Sequence, residues 1–287
     1  MQKRTWVVVG AGGMLGREVV DLLRAQGRVV RGLTRAQLDV SDAGACRTAL
    51  EGADVFVNAA AWTAVDAAEE HEAEAFAVNA QAAAHLGRAA SDVGARLVHV
   101  STDYVFDGRA DAPYAEGAVT GPRSAYGRTK LAGEWAVAAT CPDHVLLRTA
   151  WLYGDGPCFP RTIARLLGQR ETISVVEDQH GQPTWTRDVA GLLVRLVDAE
   201  VQSGTYHATS GGRATWRDLA QEVARSLGAD PARVLATTSA DFPTPAERPA
   251  WSVLGHDALA AAGVEPIGEW RDRWAAAADL VLGGHQP

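Results

Sequence analysis

The 287 residues are 47% hydrophobic and 22% charged, the balance of a chain that can bury a substantial core as one large domain or two closely joined ones. A formal net charge of -8 without a basic tract argues against a nucleic-acid partner, because phosphate binding needs clustered Lys and Arg. No window approaches a membrane span, the apolar run Trp6–Val9 is too short for a signal peptide, and Cys46, Cys141 and Cys158 form neither a disulfide framework nor a C-x-x-C site; a cytoplasmic setting without a membrane partner is expected.

In the first half, short β-rich runs alternate with alanine-rich helical stretches. Strands are expected at Trp6–Val9, Val29–Leu33, Val55–Asn58, Leu97–Ser101 and Val145–Arg148, with helices such as Leu15–Ala25, Glu72–Val93 and Ser124–Ala139 between them. Several strands are apolar on both faces, as in a parallel sheet covered by helices. The fold class that follows is α/β, a Rossmann-like doubly wound parallel sheet with a smaller C-terminal substrate-binding part. Residues 1–150 are expected to form the nucleotide-binding unit, completed by parts of 170–225, and 151–287 the substrate-binding region. After Trp151 the pattern loosens, with strands expected at Ile173–Val176 and Thr205–His207 and helices at Arg187–Val197, Trp216–Ser226 and Glu269–Leu282. Asp241–Pro249 is proline-rich and cannot be a helix interior.

Val7 to Gly16 reads as a strand, a glycine turn and a helix start, with Gly10, Gly13 and Gly16 in G-x-x-G-x-x-G spacing. Such a turn needs glycine for tight geometry and for close approach of a pyrophosphate, which the free N–H groups and positive dipole end of the helix then hold. A glycine turn serving only helix–strand packing is the alternative. An NAD enzyme usually places an acidic residue at the end of the second strand. Here Arg35, with Arg31, is suited instead to a 2′-phosphate, which favours NADPH over NADH unless both arginines are only solvated charges. Asp39 and Val40 follow, placed to meet the adenine edge.

Tyr126-Gly127-Arg128-Thr129-Lys130 is a Y-x-x-x-K pair, which shares one face if helical. A nearby ammonium and the positive nicotinamide ring of an oxidised cofactor favour the phenolate, so Tyr126 is expected to have a lowered pKa and to exchange a proton with a carbonyl oxygen. Upstream, a strand ends in Ser101-Thr102-Asp103-Tyr104-Val105-Phe106, where ligands of doubly wound sheets bind. Thr102 is the candidate carbonyl hydrogen-bonder, unless it only caps the backbone. Glu69, Glu70, Glu72 and Glu74 read as a solvated helix face.

Together these residues resemble the dTDP-4-dehydrorhamnose reductase family, within the extended short-chain dehydrogenases, over nearly the whole chain. Further pieces of the likeness are Val57–Asp66, Tyr126–Glu134, Arg148–Gly154, Asp178–Thr184, Gly204–His207 and Pro243–Pro249. The resemblance implies NADPH-dependent reduction of the C4 ketone of dTDP-4-dehydro-L-rhamnose to dTDP-L-rhamnose. It implies Tyr126 as proton donor, with Lys130 and Thr102 completing the catalytic set. It places Gly13, Met14, Leu15, Asp39, Val40, Ala61, Trp62 and Thr63 around the dinucleotide, with Gly10, Gly16, Arg35 and Ala60 alongside. It places Thr102, Asp103, Val105, Phe106 and Trp151 by the sugar. The chain departs from the family at Cys158, where asparagine is frequent. It departs again at Arg187, which stands near a carboxylate position that, with Glu18, bridges a magnesium-linked dimer in some members. An arginine is no metal ligand, so no metal and a monomer or a different homodimer are expected. Two other readings stand beside the reductase: a related dTDP-4-keto-6-deoxy sugar reductase of dihydrostreptose type, and a non-catalytic NADP-binding regulatory subunit.

Overall fold

In the computed structural model, which describes residues 4–283, the alternating runs become strands and helices in the expected order. They are β1 (Thr5–Val9), α1 (Met14–Ala25), β2 (Val29–Leu33), α2 (Ala43–Leu50), β3 (Val55–Asn58), α3 (Val65–Glu70), α4 (Glu72–Phe76), α5 (Ala82–Val93), β4 (Arg96–Thr102), α6 (Ala125–Thr140) and β5 (His144–Thr149). There follow β6 (Leu152–Tyr153), α7 (Phe159–Gln169), β7 (Ile173–Val176), β8 (His180–Gly181), β9 (Thr184–Trp185), α8 (Thr186–Asp198), β10 (Gly204–His207), β11 (Ala214–Thr215), α9 (Trp216–Ser226), β12 (Val234–Thr237), α10 (Asp257–Ala261) and α11 (Trp270–Leu282).

Six strands form one sheet in the order β10-β5-β4-β3-β1-β2, every neighbouring pair parallel. The chain runs outward from β1 to β2 and then returns to the other side of β1 with β3. That reversal opens a crevice at the carboxyl ends of β1 and β3, the place where such sheets bind ligands. Helices cover both faces. Val19, Val20 and Leu23 of α1 pack with Val189, Leu192 and Leu193 of α8 on one face. Cys46 and Leu50 of α2 pack with Leu86, Ala89 and Ala90 of α5 on the other. All four residues of β3 are buried, whereas β2, at the sheet edge, is half exposed. This is why β3 reads as a continuous apolar run and β2 admits Arg31.

The later elements build a second core. Tyr153, Ile163, Leu167, Trp185, Leu219, Val223, Trp270 and Trp274 pack together beside the sheet's carboxyl edge. The parallel pairing of Leu152 with Thr184 and Tyr153 with Trp185 ties this layer to the segment leaving β5. The helix expected at Glu72–Val93 is interrupted by a π-helical turn at Ala77–Gln81. Such turns are uncommon and concentrate at functional sites; this one carries Asn79, whose role appears below.

Candidate active site

The glycine turn forms a tight cradle. Gly10 has φ +79°, and a Cβ there would lie 2.6 Å from the backbone of Ala59 and Ala60; a Cβ on Gly16 would run into the Gly10 carbonyl. A side chain at Gly10 would push the turn off the segment after β3, and one at Gly16 would push α1 off the turn. Gly13 caps α1 with its carbonyl accepting from Arg17, so the N–H groups of Met14, Leu15 and Gly16 have no acceptor within the helix. These donors and the helix dipole fit the diphosphate of a dinucleotide. On the other side of the crevice, the loop after β3 is fixed by the π turn: the Asn79 carboxamide accepts from the Trp62 N–H (2.9 Å) and donates to the Trp62 carbonyl (3.2 Å) and to Thr129 Oγ1 (3.0 Å).

Helix α6 is anchored at its start. Ser124 Oγ accepts from the Gly127 N–H at 3.1 Å, and Glu69 Oε1 accepts from the Ala125 N–H at 2.8 Å. The Glu72 carboxylate accepts from Arg128 Nε and Nη2, both at 2.8 Å. The acidic run expected to be a solvated face is therefore partly a clamp on this helix, because a carboxylate complements both an exposed helix N-terminus and a guanidinium fork. With α6 so placed, Tyr126 and Lys130 face the carboxyl end of β4. Lys130 is 2% exposed and donates to the Val100 carbonyl at 2.7 Å. Burial pulls its ammonium down to about 8, opposed by the carboxylate of Glu134. Glu134 is itself held by Arg148 through two bonds, at 2.9 and 2.7 Å, and by Ser101 Oγ at 2.5 Å.

The protein's own groups act on Tyr126 in opposite directions. Its phenol is pushed up to about 12, chiefly by burial and further by Asp103, while a hydrogen bond with Thr102 acts in the opposite direction. Lys130 is directed to the Val100 carbonyl. Tyr126 is thus held as a neutral phenol, the state a proton donor needs. Its ring meets Tyr104 edge-on at 5.7 Å. The Thr102 hydroxyl donates to Asp103 Oδ1 at 2.9 Å and accepts from the Tyr104 N–H at 3.2 Å. Asp103 is 2% exposed and burial raises it to about 6, with Oδ2 lacking a partner among the described residues.

Gly13, Met14, Leu15, Gly16, Ala61, Thr63, Thr102, Asp103, Tyr126, Lys130 and Trp151 line a single cleft of about 550 Å³. The others lie elsewhere. Gly10 and Ala60 form the packed layer beneath the glycine turn. Trp62 packs against the small cluster around Ala68, Ala75 and Ala125. Arg35 is exposed in the turn after β2, and Asp39 follows, its carboxylate accepting from the Ser41 N–H and hydroxyl and lowered by those bonds and by Arg35. Val40 packs on the α2–α5 side of the sheet. Arg31 is turned away, donating to the carbonyls of Ala49 and Glu51. Val105 and Phe106 do not line the cleft: the turn at Asp103–Val105 sends their side chains into a core with Tyr114, Leu131 and Leu254. Arg187 Nε lies 3.2 Å from Glu18 Oε2, so the guanidinium occupies the carboxylate weighed as a metal ligand.

Sequence reasoning left several cleft residues unassigned, among them Tyr104, Thr149, Trp216 and Arg248. Trp151 adopts φ +44°, uncommon for a bulky residue and costing roughly 1–3 kcal/mol. Its indole stacks flat on Trp216, with centroids 3.7 Å apart and planes 7° apart, and a Cβ on Gly181 would strike the other face. Trp216 is the first residue of α9, fixed by the Thr215–Asp218 capping box and by its Nε1 donating to Gln179 at 3.1 Å. The T-x-x-D spacing of Thr215 and Asp218 is a local signal for the start of this helix, whereas the stacking partner leaves none.

A relative from Streptomyces griseus named dTDP-4-dehydrorhamnose reductase is 50% identical over 93% of this chain and 90% of its own length. Another from Streptomyces niveus, named dTDP-4-keto-6-deoxy-D-glucose reductase, is 49% identical over 92% of this chain and 93% of its own. The crystal structure of dTDP-4-dehydrorhamnose reductase from Bacillus anthracis in complex with NADP superimposes with TM-score 0.93 at 30% identity, covering 96% of this chain and 99% of that one. Residues 4–282 match the family model described as RmlD substrate binding domain, and the chain belongs to that family.

Proposed function

We propose that this chain reduces the C4 ketone of dTDP-4-dehydro-L-rhamnose to dTDP-L-rhamnose with NADPH, as a cytoplasmic enzyme. The observation that carries the reading is the convergence of Thr102, Tyr126 and Lys130 at one end of a cleft whose other end is the α1 cradle. The cradle residues Gly13 to Gly16 would hold the cofactor diphosphate, Arg35 the 2′-phosphate and Lys130 the ribose hydroxyls, and the bound cofactor supplies the hydride. The remaining work falls to the protein. Tyr126 and Thr102, its hydroxyl turned from Asp103, hydrogen-bond the ketone oxygen and hold its carbon in place. As charge develops on that oxygen, the neutral Tyr126 phenol transfers its proton to it, a contribution of about 10²–10⁴ in rate. Lys130, an ammonium below about pH 8, holds the ribose hydroxyls, while the hydrogen bond with Thr102, which lowers the phenol, favours the phenolate left behind. Asp103 suits a sugar hydroxyl, and Trp151, its indole faces covered by Trp216 and Gly181, offers a deoxysugar the apolar edge of its ring.

The name of the Streptomyces niveus relative supports a second reading, reduction of another dTDP-4-keto-6-deoxy sugar. The test is NADPH oxidation by the purified protein with freshly prepared dTDP-4-dehydrorhamnose and, separately, dTDP-4-keto-6-deoxy-D-glucose. A higher kcat/KM for the first supports the main reading, and a higher value for the second transfers it to the alternative. Oxidation with neither leaves the non-catalytic, cofactor-binding reading.

A further inference from the structure

We propose that Trp216 is a positioning residue for the sugar, holding Trp151 in the conformation that presents the edge of its indole to the cleft. This rests on the nucleotide-sugar reading above. Both tryptophans line the cleft that also holds Thr102 and Tyr126. Trp151 does not hold itself in place. A φ of +44° is disfavoured for a bulky side chain, so an unsupported Trp151 would relax toward ordinary backbone angles and carry its indole elsewhere. The Thr184 N–H donates to the Trp151 carbonyl at 3.2 Å, which fixes the peptide and not the ring.

The ring is fixed by the pairing of β8 with β11. Ala214 lies opposite Gly181 and Thr215 opposite His180, which brings Trp216, next in the chain, to the same place. The Trp151 indole fills the slot between them, one face on Trp216 and the other on the bare backbone of Gly181, where a Cβ would come within 2.4 Å of the ring. Trp216 is held in turn. Phe159 packs on it with centroids 4.6 Å apart. Its Nε1 donates to Gln179 Oε1 at 3.1 Å, Gln179 Nε2 donates to Ser239 Oγ at 2.9 Å, and Ser239 Oγ donates to Asp178 Oδ1 at 2.8 Å. An indole N–H can only donate and a carboxylate can only accept, so this chain runs in one direction with every link satisfied. With its N–H committed, the rest of the Trp216 ring is hydrocarbon, which suits the apolar side of a 6-deoxy sugar.

The experiment separates the sugar from the nucleotide. Calorimetric titration of the full chain saturated with NADP+ would use dTDP-L-rhamnose and dTDP as probes, and the ratio of their dissociation constants isolates the sugar's share. Trp216→Leu keeps apolar bulk without the stack. It should cut that share, and kcat/KM for dTDP-4-dehydrorhamnose, by about tenfold, the upper worth of an aromatic pair, with dTDP and NADPH affinity changed by no more than about twofold. Trp216→Phe returns a planar ring and should recover most of the loss. Gln179→Leu cuts the tether and leaves both indoles, so it should give a smaller loss of the same kind and carries the test if Trp216→Leu does not fold. In a Trp151→Ala background, Trp216→Leu should cost no more than about a further twofold, because the ring it supports is already gone. Losses that add in full in the double variant, or dTDP affinity that falls as far as that of dTDP-L-rhamnose, would make Trp216 a general structural residue and overturn the proposal. An unchanged sugar share in Trp216→Leu and Gln179→Leu refutes it as well. Wild-type binding of dTDP-L-rhamnose no tighter than dTDP would leave no sugar contact to position, with the same result. If the wild type turns over neither keto sugar while the sugar share depends on Trp216, the positioning role stands and the reductase reading falls.

Discussion

Replacing Glu134 with Gln tests the buried network behind Lys130. The Arg148–Glu134 pair is 6% and 3% exposed at its side chains and bidentate, so water contributes little to either charge. Removing one member of such a pair typically costs about 3–5 kcal/mol, because the other is left charged and buried. At about 2–4 °C per kcal/mol for chains of this order, the melting temperature should fall by roughly 6–20 °C. The same change removes the carboxylate that props up the Lys130 ammonium, so its pKa drops below about 8. The alkaline limb of kcat/KM for NADPH, which reports the free enzyme, should move to lower pH. Scanning calorimetry and a pH–rate profile read the two effects separately. Joint replacement of Glu134 by Leu and Arg148 by Met removes both charges and should restore most of the stability while the limb stays displaced. A Glu134→Gln protein with wild-type melting, or with an unmoved limb, would refute this account of the network.

Three other outcomes are expected. Tyr126→Phe should keep NADPH affinity, followed by fluorescence titration, while kcat falls about 10²–10⁴-fold; normal turnover would remove Tyr126 as proton donor. For Lys130, burial lowers the folded pKa from the ordinary lysine value to about 8, so the ammonium is present below that pH and lost above it. The wild-type rate should therefore decline above about pH 8, whereas a Lys130→Arg protein, if active, should show no such limb, because guanidinium stays charged; an unchanged limb would place the titration elsewhere. Arg35→Ala should weaken NADPH by about tenfold or more and NADH little, as the loss of a charge-assisted phosphate contact predicts; equal losses would show that Arg35 does not distinguish the cofactors.

The parts of the fold that were legible are those written in local periodicity. β3 and β5 are buried along nearly their whole length and so read as continuous apolar runs. The glycine turn declared itself because Gly10 and Gly16 each lack room for a Cβ. What escaped depends on contacts between distant residues. Arg248 meets Asp66 across 182 positions, and nothing near either one in the chain announces the pair. Trp216 was placed at the start of a helix, yet its stack on Trp151 requires the second core to fold over the sheet edge. The π turn escaped because one additional residue per turn leaves the helical pattern of Glu72–Val93 nearly intact. Val105 and Phe106 were expected beside the sugar by their adjacency to Thr102, but the short turn at Asp103–Val105 rotates them into the core. The burial that raises the Tyr126 phenol also escaped, because Y-x-x-x-K spacing shows a neighbouring lysine and not how deeply the ring is enclosed.

The most direct measurement of the central claim follows the hydride itself. The protein would be incubated with dTDP-4-dehydrorhamnose and NADPH carrying deuterium at the nicotinamide C4, and the product examined by mass spectrometry and NMR. The account predicts one equivalent of NADPH consumed and dTDP-L-rhamnose carrying deuterium at the sugar C4. Unlabelled sugar with the cofactor bound and unoxidised would contradict it.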